Sequence, residues 1–281
     1  MQIDEKWYKL FEKLYGKKFN RLLTVGTADI GYTNYDIRKL DEIRPYVEEG
    51  FPQNEFYISL YSYKTEDKLS RWNAIDLEQY EKYANKNCLL FRFKQNTDII
   101  QEETSYLDDI EKFMFIRRSI NLGCNKNIVQ DCNKVYNFFK THFNIKGTMM
   151  FNGFDECLLY YYTDEIALNN PSLTYYNIPA LLKQKLDIPT LLYENIEPFA
   201  QLVPLPGTQN SNSRLYTQLF HPDFDYEHVM SNSQEKFLDE SHLSPIEKSK
   251  ELEQFIKDID DEIDNTKTIK FNFNEIWEKI N

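Results

Sequence analysis

The chain has 281 residues, enough for one large core or two small ones, and its 41% hydrophobic and 15% aromatic content excludes a disordered chain. A net charge of −12 with a pI near 4.9 excludes non-specific coating of nucleic acid, which draws on Lys and Arg, yet leaves room for a local basic groove. No apolar run approaches the roughly 20 residues that span a bilayer, and Met1 to Trp7 hold no apolar signal core, so a cytoplasmic protein without membrane contact is expected.

In chain order, Trp7, Leu10, Phe11 and Leu14 recur at helical spacing and predict an amphipathic helix over 4–15. A second helix is expected over 36–49, interrupted by Pro45. Period-two alternation over 55–63 reads as a strand, with Phe56, Ile58 and Leu60 on one face. A short helix over 76–84 follows, with Asp76 as its cap. The compact run Leu89-Leu90-Phe91-Arg92-Phe93-Lys94 is the clearest strand. Helices are expected over 106–117 and 128–143. Strands over 148–151 and 157–162 flank the Asn152-Gly153 turn signal and form a hairpin. Then come a helix over 178–186 and short strands over 190–193 and 202–205. A loop over 206–213 and an alternating strand over 214–220 complete this part. A long acidic helix occupies 244–263, with Leu252, Phe255, Ile256, Ile259 and Ile263 on one face, and a last segment over 271–280 packs back onto the body. The order is α+β, with a mixed or antiparallel sheet flanked by helices.

Charge is unevenly placed. Between Glu235 and Asp264 eleven carboxylates stand against four lysines, while the rest of the chain is close to balanced. The amphipathic acidic helix either packs on its own domain or docks onto a partner. The four cysteines (Cys88, Cys124, Cys132, Cys157) make no CxxC pair, and the four histidines make neither HExxH nor finger spacing. Buried free thiols in a reducing compartment are expected, and no metal site. Glycine-rich phosphate loops are absent.

Three segments carry a resemblance. They are Leu89–Lys94, Phe151-Asn152-Gly153-Phe154-Asp155-Glu156-Cys157 running into an apolar strand, and Gln201-Leu202-Val203-Pro204-Leu205-Pro206-Gly207-Thr208-Gln209-Asn210. In order and spacing the stretch 88–220 resembles the catalytic core of the archaeo-eukaryotic primase superfamily, closest in style to primase-polymerases of mobile elements. The shift from an aromatic-rich region to the acidic helix near Ser231–Gln234 sets a boundary, so a primase-like domain is expected over 1–232, with the resemblance confined to 88–220, and an acidic helical segment over 233–281. It also implies a role in DNA replication. Such enzymes hold two Mg²⁺ ions with carboxylates, and the paired aspartates of the family strand fall at Arg92 and Lys94, which repel a cation. The family's nucleotide-contacting histidine falls at Cys157 or Leu158, and its two arginines at Gln201 and Pro204. The pocket is therefore expected to have lost its usual chemistry.

Two readings of Arg92 and Lys94 stand side by side. Charges alternating with Leu89, Phe91 and Phe93 are ordinary on a solvated or edge strand. Alternatively both enter a former active-site cleft and bind phosphates of DNA or RNA, with Asn152, Gln209, Asn210 and Arg214 as further contacts. If catalysis survives, Asp155, Glu156 and Glu194 (or Glu197) are the candidates, with Mg²⁺ or Mn²⁺ as cofactor; otherwise no cofactor is expected. Asp108, Asp109 and Glu111 read as a solvated helix face. Weaker nucleic-acid candidates are Lys17 to Arg21, Arg117, Arg118, Lys140 and Lys146, with tyrosines 160–162, 175 and 176 as stacking surfaces. A replication partner is expected to contact 244–263. Three functions follow: a primase-like protein with a degenerate centre, an active divergent nucleotidyltransferase, or an interaction module without nucleotide chemistry.

Overall fold

The computed structural model describes residues 5–15, 20–27, 30–50, 54–72, 77–96, 102–193, 197–235, 239–244, 249–266 and 273–280. Its described strands form two four-stranded antiparallel sheets rather than one. The first has the order β2-β1-β3-β7, from Arg21–Thr27 (β1), Gly31–Ile37 (β2), Glu55–Ser59 (β3) and Leu202–Pro204 (β7). The second has the order β4-β6-β5-β8, from Cys88–Lys94 (β4), Thr148–Phe151 (β5), Glu156–Tyr162 (β6) and Gln218–Phe220 (β8).

The β1–β2 hairpin is absent from the sequence reading, which places a helix over 36–49. Asp36 and Ile37 instead end β2. A 3-10 turn at Leu40–Ile43 leads into helix α2, Arg44–Gly50. Pro45 thus stands in the first turn of that helix, where a missing N–H costs nothing, and it starts the helix rather than breaking it. Strand β3 stops at Ser59 because its hydroxyl turns the chain, donating to Tyr61 O at 2.9 Å and accepting from Leu22 N at 3.0 Å.

Alternation sorts the first sheet into two faces. Leu23, Ile37, Phe56, Ile58 and Val203 join the core with Trp7, Leu10 and Phe11 of helix α1 (Glu5–Tyr15) and Val47 of α2. The register Thr24↔Asn34 and Thr24↔Tyr57 puts Leu22, Thr24, Tyr32, Asn34, Glu55, Tyr57 and Ser59 on the opposite face. That face is polar and lines the cleft described below.

In the second sheet Phe91, Cys157, Leu159 and Tyr161 face helix α5 (Lys126–Phe143). Phe139 stacks on Tyr161 at 4.3 Å and contacts Phe91 at 5.2 Å. The pairs Arg92↔Leu158 and Lys94↔Glu156 put Arg92, Lys94 and Glu156 on the other face. β4 is not a bare edge. Lys94 N donates to Thr190 O (2.9 Å) and Leu192 N to Arg92 O (2.8 Å), so the segment around Leu191 covers it through an isolated bridge to Phe93.

The remaining helices are α3 (Leu77–Tyr83), α4 (Asp109–Asn121), α6 (Pro171–Leu186), α7 (Tyr226–Asn232), α8 (Lys250–Thr266) and α9 (Phe273–Ile280). The expected cap Asp76 lies outside the described residues. Asp108 caps α4 in a capping box with Glu111, which accounts for that acidic cluster. The acidic helix α8 buries Leu252, Phe255, Ile256, Ile259 and Ile263 against α5 and α6. Its buried Asp260 accepts from Asn169 N (2.6 Å), Asn170 N (2.8 Å) and Thr174 Oγ1 (2.8 Å), capping α6 from a neighbouring helix. Its apolar face is therefore turned inward, and only its outer face is open to a partner. Trp277 of α9 stacks on Phe138 of α5 at 5.2 Å, so the last helix does pack back. Among the described residues, no helix is long and apolar enough to cross a membrane.

Candidate nucleic-acid interface

The turn that joins β5 to β6 is built by one side chain. Asn152 Oδ1 accepts from the backbone N–H groups of Phe154 (2.8 Å), Asp155 (3.0 Å) and Glu156 (3.0 Å). Gly153 sits at φ +85°, a conformation glycine adopts freely. Asn152 Nδ2 then donates to Asp155 Oδ1 at 3.0 Å. The turn packs on the loop that starts at Pro206: Ser213 Oγ donates to Gly153 O (2.5 Å) and Thr217 Oγ1 to Asn152 O (3.2 Å). Asn210 organises that loop in the same way, its Oδ1 accepting from Asn212 N (3.0 Å) and Ser213 N (3.2 Å), while Gln209 bridges Tyr216. Arg214 takes a left-handed φ of +56°, so regular alternation starts only at Gln218 and the strand is shorter than 214–220.

Arg92 and Lys94 meet the two carboxylates of this turn. Arg92 Nε and Nη2 bind Glu156 Oε1 and Oε2 at 2.7 and 2.9 Å, a bidentate pair, and Nη1 reaches Leu202 O of the first sheet at 3.3 Å. Lys94 Nζ stands 3.7 Å from Asp155 Oδ2. Burial is the largest single influence and would lower the Arg92 pKa, but the Glu156 charge and hydrogen bonds, with smaller help from Tyr160 and Tyr57, together outweigh it and raise it. Burial pushes the Asp155 carboxyl up, with the Asn152 hydrogen bond and Lys94 only partly opposing.

Beyond Arg92 a cleft of about 650 Å³ opens between the sheets. Its floor is the polar face of the first sheet, with Thr24, Asn34, Tyr57 and Ser59. Tyr63, Trp72, Tyr80, Arg92, Gln201 and Leu202 also line the cleft. Glu55 fixes the floor: its Oε2 accepts from Tyr32 Oη (2.8 Å) and Tyr57 Oη (3.0 Å), and its Oε1 from Ser211 N (2.8 Å) and Oγ (2.6 Å).

No family model matches the sequence, and no curated protein is similar to it at sequence level. Solved structures with a similar chain course exist. The primase-polymerase domain of cyanophage S-2L is 10% identical, with 82% of this chain and 98% of that one covered, at a TM-score of 0.41. The polymerase domain of Mycobacterium tuberculosis ligase D in complex with DNA is 9% identical, with 81% and 86% covered, at 0.46. The primase RepB′ is 9% identical, with 82% and 62% covered, at 0.38. At such identities, chemistry has to be argued from this chain's own residues.

Those residues do not fit a two-metal centre at this place. Both oxygens of Glu156 are bound by a guanidinium, and Asp155 is shared between an amide and an ammonium. A divalent ion here would have to displace two resident cations. Glu194, the third candidate ligand, lies outside the described residues, and Glu197 lines the cleft rather than the ion pairs. Among the described residues no group of three or more His, Cys, Asp or Glu is placed to hold a metal.

The structure brings together Arg92, Lys94, Asn152, Asp155 and Glu156, and sets Gln209 and Asn210 against Asn152 and Tyr57. Arg214 faces away, into a second groove with Asp109, Lys112 and Phe113 of α4. Four secondary candidates are corrected. Arg21 is buried and donates to Ser59 O at 2.7 Å, as a structural strut. Tyr160 and Tyr161 are buried, as is Tyr175, and none offers a stacking face. Lys17 to Phe19 lie outside the described residues. Cys88, Cys132 and Cys157 are buried free thiols, and burial pushes Cys157 well above the usual thiol range. The cleft residues Thr24, Asn34, Glu55, Tyr57, Trp72 and Tyr80 escape the sequence reading. For the floor, the run Leu22-Leu23-Thr24-Val25 signals a strand by its apolar and β-branched residues, but it shows no clean alternation to announce a polar face.

Proposed function

We propose that this is a primase-like DNA replication protein that has exchanged metal-dependent nucleotide polymerisation for nucleic-acid binding. The observation that carries the reading is the bidentate Arg92–Glu156 pair with Lys94–Asp155 beside it, at the positions where the resemblance calls for metal-binding aspartates. The convergence of β4, the Asn152-Gly153 turn and the loop after Pro206 supports it, because three segments distant in sequence meet as the resemblance requires. The half-exposed Lys94 is the phosphate contact, one pleat (about 7 Å) from Arg92. The acidic outer face of α8 is the surface left for a replication partner.

The test pairs primer synthesis with strand binding. The full chain, given template, nucleotides and Mg²⁺ or Mn²⁺, is expected to make no primer, and to bind single-stranded oligonucleotide at low salt with an affinity that Lys94→Gln weakens. Incorporation that Asp155→Ala abolishes would establish an active nucleotidyltransferase instead. Absence of strand binding at low salt would leave an interaction module.

A further inference from the structure

The groove that Arg214 enters is built differently from the cleft beside Arg92. It holds about 570 Å³ between α4, the Thr27 and Ile30 ends of the β1–β2 turn, and the loop after Pro206. Helix α4 is shallowly seated: of its thirteen residues only Ile116 and Ile120 are buried. Ile110 and Met114 stand one turn apart on one face of it and are open to solvent. Ile30 lines the groove with Ile110, and all three side chains are between 64% and 77% exposed. Single exposed apolar residues are ordinary, whereas a row of large ones along a groove marks an interaction surface.

The charges narrow the partner. Lys112 and Arg214 line the groove, and among the described residues neither side chain has a hydrogen-bond or ion-pair partner. Arg118, one turn beyond Met114 and exposed, has none either. Asp109 is the one carboxylate among the described residues lining the groove. It stands in the first turn of α4, where the helix dipole favours a negative charge. In a chain of net charge −12, unpaired cations beside exposed aliphatic side chains are complementary to an acidic, apolar partner. A nucleic-acid strand is the poorer match, because its bases need open aromatic faces. The aromatic residue lining the groove, Phe113, is half-buried with the Arg117 guanidinium over its ring at 6.0 Å.

We propose that this groove docks an acidic amphipathic helix of a partner protein, a site separate from strand binding at Lys94. Apolar residues of that helix, at three- and four-residue spacing, pack on Ile30, Ile110 and Met114, and its flanking carboxylates pair with Lys112 and Arg214. The track along α4 is about 20 Å long, enough for roughly three to four helical turns. Helix α8 has this composition, but its apolar face is buried against α5 and α6, so α8 of a second copy is not the occupant.

The test is a display library of random peptides about fourteen residues long, selected on the full chain and counter-selected on the Ile110→Gln, Met114→Gln double variant. Both positions are exposed and Gln keeps helix propensity, so the urea midpoint of that variant is expected to match the parent. Enriched peptides are expected to carry apolar residues at helical spacing and a net negative charge. In fluorescence anisotropy, a synthetic peptide of that pattern should bind the double variant about tenfold more weakly. Lys112→Gln with Arg214→Gln should weaken it severalfold at low salt, a difference that fades by about 0.5 M salt. Oligonucleotide binding should be unchanged by Ile110→Gln with Met114→Gln. Enriched peptides that are basic or lack helical spacing would overturn the proposal, as would no enrichment over the double variant. Oligonucleotide binding that Lys112→Gln with Arg214→Gln weakens about tenfold, without peptide binding, would make the groove a strand interface instead. A concentration-dependent dimer in sedimentation that the double variant abolishes would assign the groove to a second copy and also overturn the proposal.

Discussion

Arg92 carries most of what is distinctive in this chain, and its energetics follow from burial. Glu156 is 5% exposed, so a charge left there without its guanidinium loses solvation as well as its partner. Arg92→Ala should cost about 3 kcal/mol in urea denaturation, as should Glu156→Ala, whereas Arg92→Met with Glu156→Leu should recover most of the loss. Losses that simply add would mean the two side chains do not act as a unit. Asp155 gives a pH signature. Burial raises its folded pKa above that of the unfolded chain, so the folded state binds the proton more tightly. Its contribution to stability is fully present below the ordinary carboxylate range and is lost as pH rises through the raised value. Asp155→Asn removes this slope, so the variant should gain on the parent as pH rises across that window. A difference between their urea midpoints that stays flat with pH would contradict the assignment.

Elements meet at two places where one residue decides the join. At the β5–β6 turn a Cβ on Gly153 would lie 2.5 Å from Leu215 O, a backbone atom that cannot swing aside, and φ is +85°. Gly153→Ala should therefore cost roughly 2 kcal/mol or more, adding left-handed strain to the clash, and should loosen the contact between the turn and the loop after Pro206. Proteolysis of the 206–214 loop would report that loosening, and an unchanged digestion rate would argue against it. At the α6–α8 join, Asp260 is 3% exposed and accepts two backbone N–H groups and a hydroxyl. Asp260→Asn removes charge-assisted bonds and turns one acceptor into a donor facing donors. A loss of about 2 kcal/mol is expected from thermal or urea unfolding. A neutral outcome would show that α6 is capped by other means.

At the scale of the whole molecule, net charge sets how nucleic acid is held. The chain carries −12, and the cleft region offers Lys94 and an Arg92 already paired. Few phosphates are neutralised, so the plot of log affinity against log salt for a single strand should be shallow, with a slope of about −0.7 to −1.4. A much steeper slope would reveal a long cationic track elsewhere and would move the interface away from this cleft. Base contacts then have to supply the affinity that phosphate contacts do not.

By itself the sequence determined the periodic elements. Helical spacing of Trp7, Leu10, Phe11 and Leu14, or of Leu252, Phe255, Ile256 and Ile259, needs only local sterics and a buried stripe, and both stripes lie in helices, although the second starts at Lys250 rather than at 244 and runs on to Thr266. The Asn152-Gly153 turn and the basic strand at Arg92 and Lys94 were legible for the same reason, since each is written in a few adjacent residues. What pairs with what was not. The cost of burying a charge depends on which opposite charge the fold delivers, and Glu156 reaches Arg92 across 64 positions of chain. Likewise the cleft floor comes from a hairpin whose half-polar strands carry weak local preference, and β1 is held between β2 and β3 by pairings that no local pattern announces. The two basic residues on β4 were therefore visible as residues, while tertiary structure alone decided that they end in ion pairs beside an aromatic cleft.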